Sequence, residues 1–524
     1  MYAHIIKALP PLVNTRERLI LSEMSFCAVF YPRIQSLGYL NLEGTDHFFK
    51  KFHFTFVNDG VLCYNNGRIL SLEKKMILTR DKSFYKSLVA LSIPIALQNL
   101  LTFCVNLADN VMVGSLGDSA VSGMYMGNQI QTLLQVFSVG IEGAVLILAA
   151  MYWGKKDIKS IKKIVSIGLS FCVAVGAVLT ALCAFFPDWI ISLFTNDAST
   201  VSVGAEYLGI VSFSYVFFCI TQALIASMRS VEMTGIGFFV SLLSLGVNVG
   251  LNYVLIFGKL GFEAMGVRGA AIATLIARIC ERLCMIWYVF FKDKRLNYTF
   301  SDLFRYDKGL CLDFFKYGLP IIAGQLVWAC NMLSASAIMG RQSAEGAVTA
   351  LSIANTVNNL AYVVMNGMSG AVGIITGKTV GAGKEEKMKE YARTVQAIFL
   401  CLGVITGLSV FLVRDPVISL YNISPEAVAE ARKYILVLSF TIVGTCYQAA
   451  CLFGLVKSGG DISFVMKNDF FFVFFVVLPS AVIATYLNAP AWLVFLCLKS
   501  DQIFKCFVAA VKINRFDWMK NLTR

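Results

Sequence analysis

Two polar side chains stand one helical turn apart inside an apolar run. In NLLTFCVNLADNVMVGSLG, residues 99–117, Asn106 and Asp109 are surrounded by Leu, Phe, Val and Met. A charge at the centre of a bilayer costs about 2.5–3.5 kcal/mol on insertion scales. A carboxylate there must be protonated, paired or bound to a cation. Burial favours its neutral form, so Asp109 suits a proton or sodium switch; the alternative is a structural aspartate that caps or pairs near its helix end. Two further acids sit in apolar surroundings. Glu142, in VGIEGAVL, faces either a cavity or a partner across a bundle. Glu281, in TLIARICER, follows Arg278 by three residues on one helical face, which suits an ion pair; a part in coupling stays open for both acids.

Polar residues at helical spacing line single faces. Gln98, Thr102, Asn106 and Asp109 form one stripe, and Asn128, Gln131, Gln135, Ser138 and Glu142 a second. Ser241, Ser244, Asn248 and Asn252 form a third; Asn355, Asn358, Tyr362, Asn366 and Ser369 a fourth. Gln325, in GLPIIAGQL, joins the polar set. Interhelical hydrogen bonds worth about 0.6 kcal/mol each would account for one stripe. Four stripes point to a wetted cavity, with Gln98, Thr102, Asn128, Gln131, Gln135, Gln325, Asn355 and Asn358 as its expected lining.

The elements that position these residues follow from composition. The chain of 524 residues is 57% hydrophobic and 15% charged, against roughly 25% charged in soluble domains. Twelve runs are long and apolar enough to span a membrane: 86–110, 120–150, 163–186, 206–228, 234–257, 268–291, 312–338, 347–376, 392–412, 431–455, 463–486 and 490–511. Lys and Arg concentrate after the even-numbered spans. Lys155, Lys156, Lys159, Lys162 and Lys163 follow span 2, Arg229 follows span 4, and Lys457 and Lys467 follow span 10. The loops after odd-numbered spans hold few, among them Lys259, Arg341 and Arg414. The positive-inside rule makes the first set cytoplasmic, and with it both ends of the membrane core.

This distribution ties the net charge of +13 to membrane orientation rather than to nucleic acid. Nucleotide binding is excluded as well, because GIITGKT (373–379) has Val372 where a phosphate loop needs glycine. No histidine follows His53, so imidazole catalysis and histidine metal ligation are absent from the membrane part. An intramembrane enzyme would be left with scattered Asp and Glu. The cysteines, such as Cys172, Cys183, Cys219 and Cys401, lie in apolar runs without a CxxC pair and read as packing residues.

The chain also repeats itself. FYKSLVALSIPIALQNL (84–100) echoes FFKYGLPIIAGQL (314–326), placing Pro94 opposite Pro320. Asn128 corresponds to Asn355, Gly154 to Gly381 and Tyr207 to Tyr434, each 227 residues on. A six-span unit repeated once keeps its orientation, so the copies are related by an axis along the membrane normal. The counterpart of Asp109 is Ala335, which confines any such cation site to the first half. The expected fold is therefore an all-α polytopic membrane protein of twelve helices in two six-helix bundles, 82–300 and 301–512, with a cytoplasmic tail over 513–524.

LSIPIALQNLLTFCVNLADNVMVGSLGDSAVSG, YWGKKD, VNVGLNYVLIFGKLGFEAMGVRGAAIATLIAR and GLPIIAGQL, in that order and with the repeat, resemble the multidrug and toxic compound extrusion (MATE) family of bacterial type over about residues 82–512. The resemblance implies alternating access and export of organic cations or amphipathic compounds in exchange for Na⁺ or H⁺, with no cofactor. It implies a coupling role for Asp109, with Asn248 and Asn252 at the family's cation-site positions; Asn106, one turn away, is expected to join them as an oxygen donor if the ion is sodium. Some relatives carry Asp at the last position, and others have acids in spans 7 and 10 that QLVWACNM and VGTCYQAACLFG lack. Pro94 and Pro320 are expected to let spans 1 and 7 bend. Glu142, Arg278 and Glu281 stand as secondary coupling residues. The partners expected are a small organic substrate and membrane lipid, for a monomer in the plasma membrane. The alternative within the superfamily is a lipid or lipid-linked oligosaccharide flippase, which would line its cavity with basic residues to hold pyrophosphate.

Residues 1–75 lie outside the repeat, hold all three histidines, and show no span and no sustained periodicity. Purine-rich Glu and Lys codons of LEKK precede Met76, as a ribosome-binding site would, so natural translation is expected to start at Met76; the alternative is a genuine cytoplasmic appendage.

Overall fold

The computed structural model describes residues 78–341, 346–421 and 423–524, with three strand segments between residues 53 and 73. Residues 1–77 and 78–524 form separate compact units. In the first, β1 (His53–Val57), β2 (Gly60–Asn65) and β3 (Arg68–Glu73) pair as an antiparallel meander, with Val57 opposite Gly60 and Asn65 opposite Arg68. The two-residue gaps read Asn58-Asp59 and Asn66-Gly67, compositions that favour tight hairpins. His4 and His47 fall outside the described residues.

The second unit is built of helices, and each expected span is found. Spans 1 to 3 are Lys82–Gly114, Asp118–Lys155 and Ile158–Phe185. Span 4 is a pair, Ala198–Val211 and Ser214–Ser230, bent by 49°. Span 5 is Gly235–Phe257; span 6 is Gly266–Trp287 with a π-helical turn, Tyr288–Lys292. Spans 7 to 9 are Lys308–Gly340, Ala347–Gly381 and Glu385–Leu412. Span 10 runs Pro425–Gln448 and continues as a π-helix, Ala449–Lys457. Span 11 joins Ile462–Phe472 to Leu478–Tyr486 through the π-helical Val473–Val477, and span 12 joins Ala491–Leu498 to Asp501–Arg515. Among the described residues nine helices are long and apolar enough to cross a membrane, ten with the bent pair. Span 6 falls short because it carries Arg278, Glu281 and Arg282. Span 12 is interrupted at Lys499–Ser500 and carries Asp501 and Lys505.

Local chemistry sets the starts of several spans. Asp81, Asp157 and Asp307 cap spans 1, 3 and 7, each accepting a backbone N–H from the first turn, which satisfies donors that have no partner inside the helix. The connection between the halves is pinned to span 3. Lys162 bonds Asp302 at 2.8 Å and the Asn297 carbonyl at 2.7 Å, and Ser166 donates to the Asp302 carbonyl at 2.8 Å. Burial opposes the charge on Asp302, yet Lys162 and the donors of Thr299 hold its carboxyl at about 2.

The two halves meet tightly at one end, the end that bears the lysine-rich loops (the basic face). Gly154 of span 2 and its repeat counterpart Gly381 of span 8 lie side by side. A Cβ on Gly381 would meet the Met151 backbone, and one on Gly154 would meet the backbone at Lys378 and Ala382. Farther in, Ile321 and Ile322 of span 7 lie over Gly143 and Gly140, and Ala96 of span 1 lies against Gly367. Polar ties lace the same end. Glu232 takes Lys378 at 2.8 and 2.9 Å, and Asp81 takes the Tyr391 hydroxyl at 2.6 Å and Lys387 at 3.5 Å. The Tyr391 hydrogen bond holds the Asp81 carboxyl below the usual carboxylate range. The Phe84 and Tyr391 rings stack at 4.5 Å. Toward the other end Leu107, Val111, Tyr125, Leu333 and Leu360 are exposed.

Candidate functional site

Spans 1, 5 and 6 of the first half converge near the end opposite the basic face. Asp109 lies in the last two turns of span 1. Asn248 and Asn252, one turn apart on span 5, are 1% and 0% exposed. Asn252 Nδ2 donates to Asp109 Oδ1 at 2.5 Å and to Asn248 Oδ1 at 3.2 Å. Asn248 Nδ2 donates in turn to Thr274 Oγ1 of span 6 at 3.4 Å. Asn252 Oδ1 is buried and has no hydrogen-bond partner among the described residues. The carboxylate is thus held by an oriented chain of amides, which fixes its position and supports its charged form. One buried oxygen beside it remains free to accept.

The surroundings complete the site. Arg278 pairs with Glu281 at 2.9 and 3.1 Å, lies 5.0 Å from the Phe218 ring centroid, and is within electrostatic reach of Asp109. Tyr207 of span 4 donates to Asn128 Oδ1 of span 2 at 3.2 Å, across Gly127, whose missing Cβ makes room for the ring. The second half does not reproduce this arrangement: the hydroxyl of Tyr434, the counterpart of Tyr207, is buried without a hydrogen-bond partner among the described residues.

The other expected site residues are spread more widely. Asn106 is exposed and stands outside the amide chain. Thr102 returns its hydroxyl to the Gln98 carbonyl at 3.1 Å. Gln131, Gln135, Gln325 and Asn355 are half-buried, and Asn358 is buried. Gln98, placed on the cavity stripe by spacing, is 5% exposed and accepts from Arg229 at 2.7 Å. Glu142 takes the Ser138 hydroxyl at 2.9 Å and lies within electrostatic reach of Arg229. Pro94 and Pro320 lie inside unbroken helices. Loop counting misplaced two cations. Arg229 belongs to the last turn of span 4, with a buried Nε that has no hydrogen-bond partner among the described residues. Lys457 ends the π-helical part of span 10 with its ammonium against Gly143 of span 2.

Sequence reasoning also missed the ionic core of the second half. Lys505 of span 12 sits between Asp469 of span 11 at 2.9 Å and Asp501 at 3.1 Å, with its side chain 7% exposed. Gln502 donates to both Asp501 oxygens, and its own Oε1 accepts from Thr445 at 3.0 Å and from Gln448. Lys457 and Lys499 lie within electrostatic reach of Asp469 and Asp501 respectively. Ammonium groups therefore match the carboxylates here without help from a dissolved cation. The signal was the i, i+4 pair Asp501/Lys505 inside an apolar run. Removing one member of a buried pair typically costs 3–5 kcal/mol because the remaining charge is stranded. Lys505→Met is expected to lower the melting temperature in detergent, and Lys505→Met with Asp469→Asn to recover part of that loss. Equal stability of Lys505→Met and wild type would mean that water reaches the cluster.

With the geometry in place, the chain can be compared with known proteins. Residues 94–254 and 320–483 match the MatE family profile. A probable multidrug resistance protein NorM of Thermotoga maritima is 26% identical over 351 residues, covering 66% of this chain and 73% of that protein. Among solved structures, the outward-facing conformation of a multidrug resistance MATE family transporter of the MOP superfamily superposes with a TM-score of 0.74 at 19% identity, covering 84% of this chain and 99% of that one. A MOP superfamily transporter from Pyrococcus furiosus, described as having a binding pocket of reversed polarity, gives 0.75 at 18% identity and covers 84% and 99%. At these identities the superpositions speak for the fold.

Proposed function

Given that the chain belongs to the MatE family, the multidrug and toxic compound extrusion family its sequence resembles, we propose that it is a cation-coupled antiporter of the plasma membrane that exports organic cations or amphipathic compounds. The observation that carries this reading is the chain Asp109–Asn252–Asn248–Thr274: an acid in an apolar span, held by buried amides, with no ammonium or guanidinium bonded to it among the described residues. Such a group alternates between a bare and a neutralised state at modest cost. A proton would need Asp109 alone. A sodium ion would take the carboxylate together with Asn252 Oδ1, the buried oxygen that no donor satisfies, since hard cations bind oxygen.

The cycle follows from the arrangement. The basic face is the cytoplasmic one by the positive-inside rule, with both ends of the membrane core on that side. The tight contact there supports reading this conformation as closed to the cytoplasm, and the cycle takes it as the outward-facing state. In this state the coupling ion reaches Asp109. Neutralising Asp109 loosens its bond to Asn252 and lets span 1 bend at Pro94, where the helix lacks one backbone hydrogen bond. Substrate is released to the outside, and the ion-loaded protein then opens at the cytoplasmic face. Linkage requires each ligand to weaken binding of the other.

The test is efflux of a fluorescent organic cation from cells stripped of their own pumps. Efflux that survives a protonophore but stops without sodium identifies Na⁺; the opposite pattern identifies H⁺. Efflux indifferent to both overturns the antiport reading. One observation favours a second reading, a carrier of lipid-linked anions: Arg229 and Lys457 end corresponding spans of the two halves and point inward. Failure to move any organic cation, with transfer of a labelled lipid-linked phosphate between leaflets, would establish it.

A further inference from the structure

The segment after span 12 packs as an ordered strap on the basic face. Trp518 is fully buried, its indole N–H donating to the Ile513 carbonyl at 3.0 Å. Its ring lies on Gly459, where any side chain would collide with it. The next residues continue along the second half. Met519 pairs with Gly460 in a β-bridge, the Lys520 N–H donates to the Gly459 carbonyl at 2.7 Å, and Lys520 and Lys512 share Asp461 at 2.8 Å each. This anchorage involves the second half alone.

The last residue behaves differently. The Arg524 guanidinium grips Asp313, at the start of span 7, at 2.6 and 3.1 Å. Gly309 leaves space for it, since a Cβ there would overlap the guanidinium. The Arg524 backbone crosses to the first half: its N–H donates to the Tyr152 hydroxyl at 3.2 Å, and its carbonyl accepts from Lys155. Tyr152 and Lys155 lie in the last turn of span 2, beside Gly154 and its contact with Gly381. Arg524 therefore bridges the halves where they must separate if the basic face is to open.

We propose that residues 521–524 are a latch: anchored to the second half through Trp518 and Asp313, they clasp span 2 of the first half and bias the protein toward the state closed at the basic face. The inference rests on the alternating-access reading only in assuming that this face opens. The latch consists of two hydrogen bonds across the halves, so its release should shift the ratio of open to closed molecules by about five- to 150-fold rather than abolish either state.

Spin labels at Lys159→Cys and Lys384→Cys, one on each half, report the separation directly, without reference to transport. Both residues are exposed. In the full chain the short distance is expected to dominate. Tyr152→Phe, Arg524→Ala and deletion of 521–524 should each raise the long-distance fraction, the deletion most. A distance distribution unchanged in all three overturns the latch. Tyr152→Phe removes a single hydroxyl, so the test stands even if the deletion fails to fold. A raised long-distance fraction in a protein that moves no organic cation would uphold the latch and overturn the antiport reading.

Discussion

Asp109→Asn is expected to abolish ion-driven efflux while leaving the protein folded and able to bind substrate. Asparagine keeps the shape and can still meet Asn252, whose Nδ2 now donates to Asp109 at 2.5 Å. What it loses is the change of charge. A side chain that is always neutral cannot be alternately charged and neutralised, so the affinity of substrate no longer depends on the ion. In the proposed cycle coupling supplies the whole driving force, so transport against a gradient should fall by at least two orders of magnitude. Downhill exchange should persist. The measurement is efflux at matched membrane expression, beside equilibrium binding of the same dye. Full efflux by the variant would make Asp109 structural and shift attention to Glu142 and Glu281.

Gly381→Val should be the most damaging change outside the ion site. Span 8 approaches span 2 so closely here that even a Cβ would fall within contact of the Met151 Cα, at 2.6 Å, with the Met151 carbonyl in the way. These are backbone atoms, which cannot swing aside as a side chain can. The halves would have to part at the basic face, and with them Glu232 from Lys378. The labelled pair at Lys159 and Lys384 should show the long distance almost exclusively, and efflux should drop more than tenfold with stability little altered. Retention of the short distance would mean that the helices slide along each other to accommodate the branch. Gly154→Val, on the partner helix, is expected to do the same.

Much of the fold was legible because its signals are long and repeated. Twenty-residue apolar runs announce spans, and a 227-residue offset announces duplication. The spacing of Asn248 and Asn252 on span 5 placed them on one face, and the structure sets that face against Asp109. Thr274 was invisible because its place in the site depends on how span 6 packs against span 5, which no local pattern encodes. Asn106 shows the limit of periodicity: it lies one turn from Asp109 yet is exposed, since a helical stripe spans more angle than the site uses. Arg229 and Lys457 misled for a different reason. Composition assigns a cation at the end of a span to the loop, whereas a long side chain can extend back along its helix into the protein. The ion pairs of span 12 went unread for the converse reason, since a carboxylate and an ammonium one turn apart cancel in any average over the segment.

The ionic asymmetry of the halves sets a thermodynamic ceiling. The second half carries its own ammonium groups for Asp469 and Asp501, so the proposed cycle exchanges its ion at Asp109. One ion taken in for one monovalent organic cation sent out moves no net charge. The membrane voltage, worth about 2.3 kcal/mol per elementary charge per 100 mV, then drops out of the balance. With protons as the currency, the outside-to-inside substrate ratio at stall equals the proton ratio, about tenfold per pH unit. A cell at the same pH as its medium would retain its voltage and still be unable to pump.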